Sequence, residues 1–154
     1  MDINKLKDIE NSTIEGFKYK DNLVAKYSKN LDDLIHIIKA EIIDAQDYTM
    51  LNHYALELPV ALYNLAEAVE ELGLLVDCAG LSKDDKYSKL LINAQGTIPE
   101  KQARATVFTN TDAIAKEIYE RSYYTIKSKI EYATQLLISI RQLLQSLEKE
   151  KQYI

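Results

Sequence analysis

Two stretches of this chain place an apolar side chain at alternating intervals of four and three residues without a break, and that spacing leaves room for very few folds. Leu51, Ala55, Leu58, Leu62, Leu65, Val69, Leu72 and Val76 make the first seam. Tyr119, Tyr123, Ile126, Ile130, Ala133, Leu137, Ile140, Leu144 and Leu147 make the second. A strand repeats every two residues, so this pattern belongs to α-helices with one apolar face, in the heptad form that packs helices nearly side by side. A third stripe, Leu31, Leu34, Ile35, Ile38, Ile42 and Ala45, predicts a helix over about 22–46. Residues 2–19 suit a helix less well, with Gly16 among them, and the expectation over 1–20 is a short or frayed N-terminal helix.

Breakers are scarce, with 4 Gly and 2 Pro in 154 residues, so turns are few and helices long. Pro59 falls inside the first seam. A proline there removes a hydrogen bond and clashes with the preceding turn, which predicts a kink or a helix that begins near Leu58. Gly73 and Gly80 mark that helix's expected end. Ser82-Lys83-Asp84-Asp85 then reads as an N-cap for a short helix over 83–93. Gly96 breaks it, and Thr97-Ile98-Pro99-Glu100 is a capping box with proline in the tolerated first turn, opening a helix to about Val107. Thr109 to Asp112 is a third cap-like group, and the last helix runs over about 111–149. At 1.5 Å per residue that helix spans roughly 60 Å. A stripe of that length needs an antiparallel partner of similar length or another subunit. The expectation is an all-α chain, one domain over 1–154, folded as an elongated helical hairpin or bundle that self-associates as a homo-oligomer.

The hydrophobic fraction of 47% with 28% charged residues is that of a folded chain rather than a disordered one. The longest apolar run, around Leu74 to Val76, is about four residues against the roughly 20 that a membrane span needs. The single cysteine, Cys78, has no internal partner for a disulfide, and the N-terminus lacks a signal-peptide pattern, so a reducing, intracellular setting is expected. The net charge of −5 is unevenly spread: one basic residue, Lys39, stands against ten acidic ones over 31–80, whereas 81–154 holds twelve basic and nine acidic residues. Such a split bears on partners and association rather than on fold.

Catalytic and metal constellations are missing. His36 and His53 lie outside any Glu-x-x-His motif, and one cysteine with two scattered histidines is too few for zinc. Neither a glycine-rich phosphate loop nor a G-x-S-x-G turn occurs. No metal, no cofactor and no catalytic residue is therefore expected, and Cys78, at the end of an apolar run, reads as a small buried residue. Two patterns remain. Tyr119, Tyr123 and Tyr124 lie among Lys116, Arg121, Lys127 and Lys129; aromatic faces beside cations hold single-stranded nucleic acid by stacking and phosphate neutralisation, although Tyr119 and Tyr123 also fall in register with the core seam. Asp32, Asp33, Glu41, Asp44 and Asp47 form an acidic face able to imitate a phosphate backbone toward a basic protein.

The segment over 96–150 carries Gly96, Thr97, Ile98, Glu100, Lys101, Ala103, Arg104 and Ala105, followed after a polar break by Lys129-Ile130-Glu131 and Ser139-Ile140-Arg141-Gln142. It resembles a group of small helical bacteriophage proteins encoded among replication and recombination genes, and, more weakly, the oligomeric recombination mediators of T4-type phages. The resemblance implies a non-enzymatic accessory protein of DNA recombination or replication in the cytoplasm of a bacterial host, binding single-stranded DNA or its coating proteins. If DNA is bound directly, Lys101, Arg104, Arg121, Lys127 and Lys129 are the phosphate contacts to expect. Two other functions fit the same chain: an anti-defence protein that binds a host protein through the acidic face or sequesters a signalling nucleotide, and a purely structural helical oligomer.

Overall fold

The computed structural model describes the backbone of residues 3–42 and 47–152 and the side chains of residues 14–41 and 47–150. Four helices account for nearly all of it: α1 (Ile3–Ile42), α2 (Tyr48–Asn93), α3 (Ile98–Phe108) and α4 (Asn110–Gln152). The chain is all-α, with no strand among the described residues.

The seams lie where their spacing places them. In α2 each of the eight seam residues is buried or half-buried, with Leu58 and Leu72 fully so. In α4, Ile126, Ala133 and Ile140 are wholly buried. Leu31, Ile35 and Ile38 do the same for α1, while Ile42 and Ala45 lie outside the described side chains. Such a stripe forms a helix because its apolar face is removed from water together, at about 25 cal/mol per Å² of apolar surface.

Three expectations about breaks are corrected. α1 is continuous through Gly16 rather than a short helix before a longer one. A glycine inside a helix costs about 1 kcal/mol, and packing carries α1 through it: an added Cβ would stand 3.7 Å from Ile118 Cδ1, an ordinary contact distance. α2 begins at Tyr48, not near Leu58, and passes through Pro59. Proline costs about 3 kcal/mol in a helix interior, and burial of Leu51, Tyr54 and Leu58 over the preceding turns offsets it. α2 also runs past Gly73, Gly80 and Ser82, so the separate helix over 83–93 is its last part. Both glycines are packing positions: a Cβ at Gly73 would stand 3.9 Å from Tyr123, and one at Gly80 3.8 Å from Lys116. Because the helix does not end there, Cys78 falls on its outward face and is exposed, not buried.

The expected break at Gly96 is present. Its φ of +121° is one that side chains of L-residues rarely adopt, and a Cβ there would stand 2.8 Å from Glu100 Oε2. The capping box follows: Thr97 N–H donates to Glu100 Oε2 at 2.9 Å and its hydroxyl to the same oxygen at 3.0 Å. At the other end of α3, Thr109 donates both its N–H and its hydroxyl to Ala105 O, each at 3.0 Å, which closes the helix before α4 starts.

By its contacts the chain divides into two compact units. Unit 1 is Met1–Leu23 with Glu70–Tyr123, and unit 2 is Val24–Val69 with Tyr124–Ile154. In unit 1, α2 and α4 run antiparallel, because Gly73, Gly80 and Lys86 meet Tyr123, Lys116 and Asp112 in reverse order. In unit 2, α1 and α4 run parallel, with Asp32 on Lys129 and Lys39 over Tyr132, and α2 returns against α1, with Tyr54 on Glu41.

Candidate nucleic-acid interface

The five cations expected to meet phosphate are divided between the units. Lys101, Arg104 and Arg121 belong to unit 1, and Lys127 and Lys129 to unit 2. Lys129 is committed to its own fold. Its ammonium donates to Asp32 Oδ1 at 2.6 Å, to Asp32 Oδ2 at 2.5 Å and to Ser28 Oγ at 3.0 Å. Ser28, fully buried, donates in turn to Asp32 Oδ2 at 2.8 Å. This is a closed polar group between α1 and α4, and it uses one expected phosphate contact and one expected acidic-face residue together. Arg121 Nε donates to Glu117 Oε1 at 2.6 Å across one turn of α4, with both side chains more than half exposed. Lys127 is exposed.

Lys101 and Arg104 differ from these, because neither makes an ion pair among the described residues. Both are on α3, one turn apart, with Arg104 exposed and Lys101 half-buried. Ala105 is the face that α3 buries, and Phe108, four residues after Arg104, is 70% exposed. The spacing of four puts the phenyl ring and the guanidinium on neighbouring turns of one face. The local anion is Glu100, held below the ordinary glutamate range first by the backbone N–H of Thr97, then by its hydroxyl, with a smaller attraction from Arg104. That carboxylate is occupied as a cap, with Oε2 accepting both hydrogen bonds from Thr97.

The tyrosines give less to this purpose. Tyr119 and Tyr123 are half-buried, in keeping with their place in the seam, and Tyr124 is 58% exposed but belongs to unit 2. The exposed aromatic beside unpaired cations is instead Phe108, which the sequence reading passed over. Its signal was present as Arg104 and Phe108 at a helical spacing of four, immediately after the capping box.

Of the acidic face, Asp32 is tied to Lys129, Glu41 accepts a hydrogen bond from the Tyr54 hydroxyl, and Asp47 Oδ1 accepts from the Thr49 N–H at 2.8 Å. Asp33 is exposed, and Asp44 lies outside the described residues. Three of the five thus serve the fold. Among the described residues no group of three His, Cys, Asp or Glu side chains is placed to hold a metal ion, and no helix is long and apolar enough to cross a membrane.

The chain matches no protein-family model, and neither curated proteins nor solved structures contain a match to it.

Proposed function

We propose that this protein is a non-enzymatic binding module for single-stranded DNA, a phage accessory protein of recombination or replication, and that it meets the strand with α3. One observation carries the reading: Arg104 and Lys101 have no ion-pair partner among the described residues, and Phe108 stands open one turn from the guanidinium. A base stacking on such a ring is worth about 1–3 kcal/mol, and each neutralised phosphate releases counterions. With a net charge of −5, a polyanion is tolerated only where the surface is locally cationic and aromatic. Between the capping box and the end of α3 the charged residues after Glu100 are both basic. The phage context rests on the residues over 96–150 that resemble phage proteins.

The test is fluorescence anisotropy of a labelled single-stranded oligonucleotide at two salt concentrations. Binding that weakens with salt is expected. Lys101→Ala with Arg104→Ala should lower affinity about tenfold and flatten the salt slope by roughly 1.4, two phosphates at about 0.7 each. Phe108→Ala should weaken binding by about tenfold at either salt. Lys129→Gln should leave affinity unchanged, because its ammonium is already engaged. Absence of binding at low salt, or equal affinity for the α3 variants and the parent, would refute the reading.

A further inference from the structure

We propose that Leu56, Val60 and Tyr63, on the outward face of α2 in unit 2, form the docking strip for a lysine- or arginine-bearing amphipathic helix of another protein. The three are spaced four and three apart, so they stand one above the other on a single face. Their exposures are 72%, 58% and 73%, although the same helix buries Leu51, Tyr54, Leu58 and Leu65 on its other side. α2 therefore carries two apolar stripes in this unit, and its partners within the chain cover one. An uncovered stripe of a leucine, a valine and a tyrosine is the complement of a helix that presents anchors at i, i+4 and i+7. An exposed tyrosine at its end is of the type that most often dominates such contacts.

Charge selects the occupant. Glu57, beside the strip, and Glu67, one turn beyond Tyr63 on the same line, are both exposed, and the sequence carries no lysine or arginine between Lys39 and Lys83. A second copy laid on this face would add two more carboxylates and no lysine or arginine from the same stretch to pair with them. Nucleic acid and anionic lipid are repelled by the same carboxylates. A cationic amphipathic helix satisfies both parts of the surface, with apolar residues along the centre and basic ones toward Glu57 and Glu67. The strip shares no residue with α3, and its variants are read with a peptide rather than DNA, so it is tested independently of DNA binding.

The probe is a labelled synthetic peptide with leucines along one helical face and lysines on both flanks, compared with a scrambled peptide of the same composition. The lysine peptide should bind, less tightly as salt rises, and about tenfold tighter than the scrambled one. Leu56→Ser with Tyr63→Ser should weaken it about tenfold or more, and Glu57→Gln with Glu67→Gln should flatten the salt dependence. These side chains are exposed, so circular dichroism of each variant should match the parent. Four results would each overturn the proposal: no binding of the lysine peptide, equal binding of the scrambled one, an affinity indifferent to the serine variant, or a dimer in sedimentation equilibrium that the serine variant dissolves. The last would assign the strip to a second copy.

Discussion

Unit 2 and unit 1 are made from the same three long helices, yet they are held together differently. In unit 2 the described residues bury Val24, Leu31, Ile35 and Ile38 from α1, Leu51, Tyr54, Leu58, Leu65 and Ala68 from α2, and Ile126, Ala133, Leu137, Ile140 and Leu144 from α4. In unit 1 the buried apolar side chains among the described residues are Leu72 and Ala105, joined by the buried hydroxyls of Thr109 and Ser122. Unit 1 also leaves Leu74, Leu81, Ile92, Ile98, Val107 and Phe108 each more than three-fifths exposed. Burial of a large apolar side chain contributes about 1.5–3 kcal/mol. The described part of unit 1 therefore draws much less from burial, and the residues proposed to meet DNA are in that part. Binding elements are commonly drawn from the less stable end of a structure.

The largest effect that sharpens this contrast is a core truncation. Ile140→Ala, in unit 2, removes a fully buried side chain and should cost about 2–5 kcal/mol in a denaturant titration. Native-state hydrogen exchange should then show amides near Ile140 and Ile38 as the slowest, with those near Ala105 and Thr109 exchanging faster. Equal protection in the two units would break the comparison.

A smaller effect separates the polar contacts of the two units. Lys129→Met removes the ammonium that meets both Asp32 and the buried Ser28 hydroxyl, and leaves those two with only the hydrogen bond from Ser28 to Asp32. With Lys129 and Asp32 at 29% and 42% side-chain exposure, solvent screens part of the loss, and about 1–2 kcal/mol is expected. In unit 1, Lys86, 54% exposed, donates to both oxygens of Asp112, at 2.7 and 2.9 Å, and Asp112 is 18% exposed. Lys86→Met should cost about 1 kcal/mol, because the hydroxyl beside this pair, that of Ser82 at 3.4 Å, is half-buried rather than fully buried. Equal losses in thermal or denaturant unfolding would mean that the contact in unit 2 is no better shielded than the one in unit 1.

The same difference decides what could be read from the amino-acid order. The apolar stripes over 51–76 and 119–147 were legible because a stripe at helical spacing is a property of one helix and needs no knowledge of its partner. Local stop signals were less legible. Gly73, Gly80 and Ser82 resemble helix ends in isolation, but tertiary packing of Tyr123, Lys116 and Asp112 against them carries α2 through. Gly96, where the backbone takes a positive φ, kept its local meaning, as did the cap groups at Thr97 and Thr109. The candidate site was half legible for a related reason. Lys101 and Arg104 could be named from the sequence, but the tie between Lys129 and Asp32 joins residues 97 positions apart and is invisible to spacing. The strip at Leu56, Val60 and Tyr63 was hidden by its own neighbour, since the stronger stripe on the same helix absorbed the periodicity.

The smallest effect concerns α3 itself, whose one buried residue is Ala105. Its start rests on Glu100 accepting from the Thr97 N–H, and that bond, foremost, holds the carboxyl below the ordinary glutamate range. A carboxyl whose folded value is depressed contributes stability that is fully present above its unfolded value and is lost as pH falls through the folded one. Acidification below the ordinary glutamate range should therefore loosen the first turn of α3 before neutral-pH packing elsewhere is disturbed, and the Thr97 and Lys101 amide resonances should shift together in an NMR titration. Glu100→Gln keeps an oxygen that accepts the same bond but has no proton to gain, so the variant should hold the cap at neutral pH and lose the titration. A pH-dependent shift that persists in Glu100→Gln would place its origin in another group and would remove the carboxylate from the list of devices that orient Lys101 and Arg104.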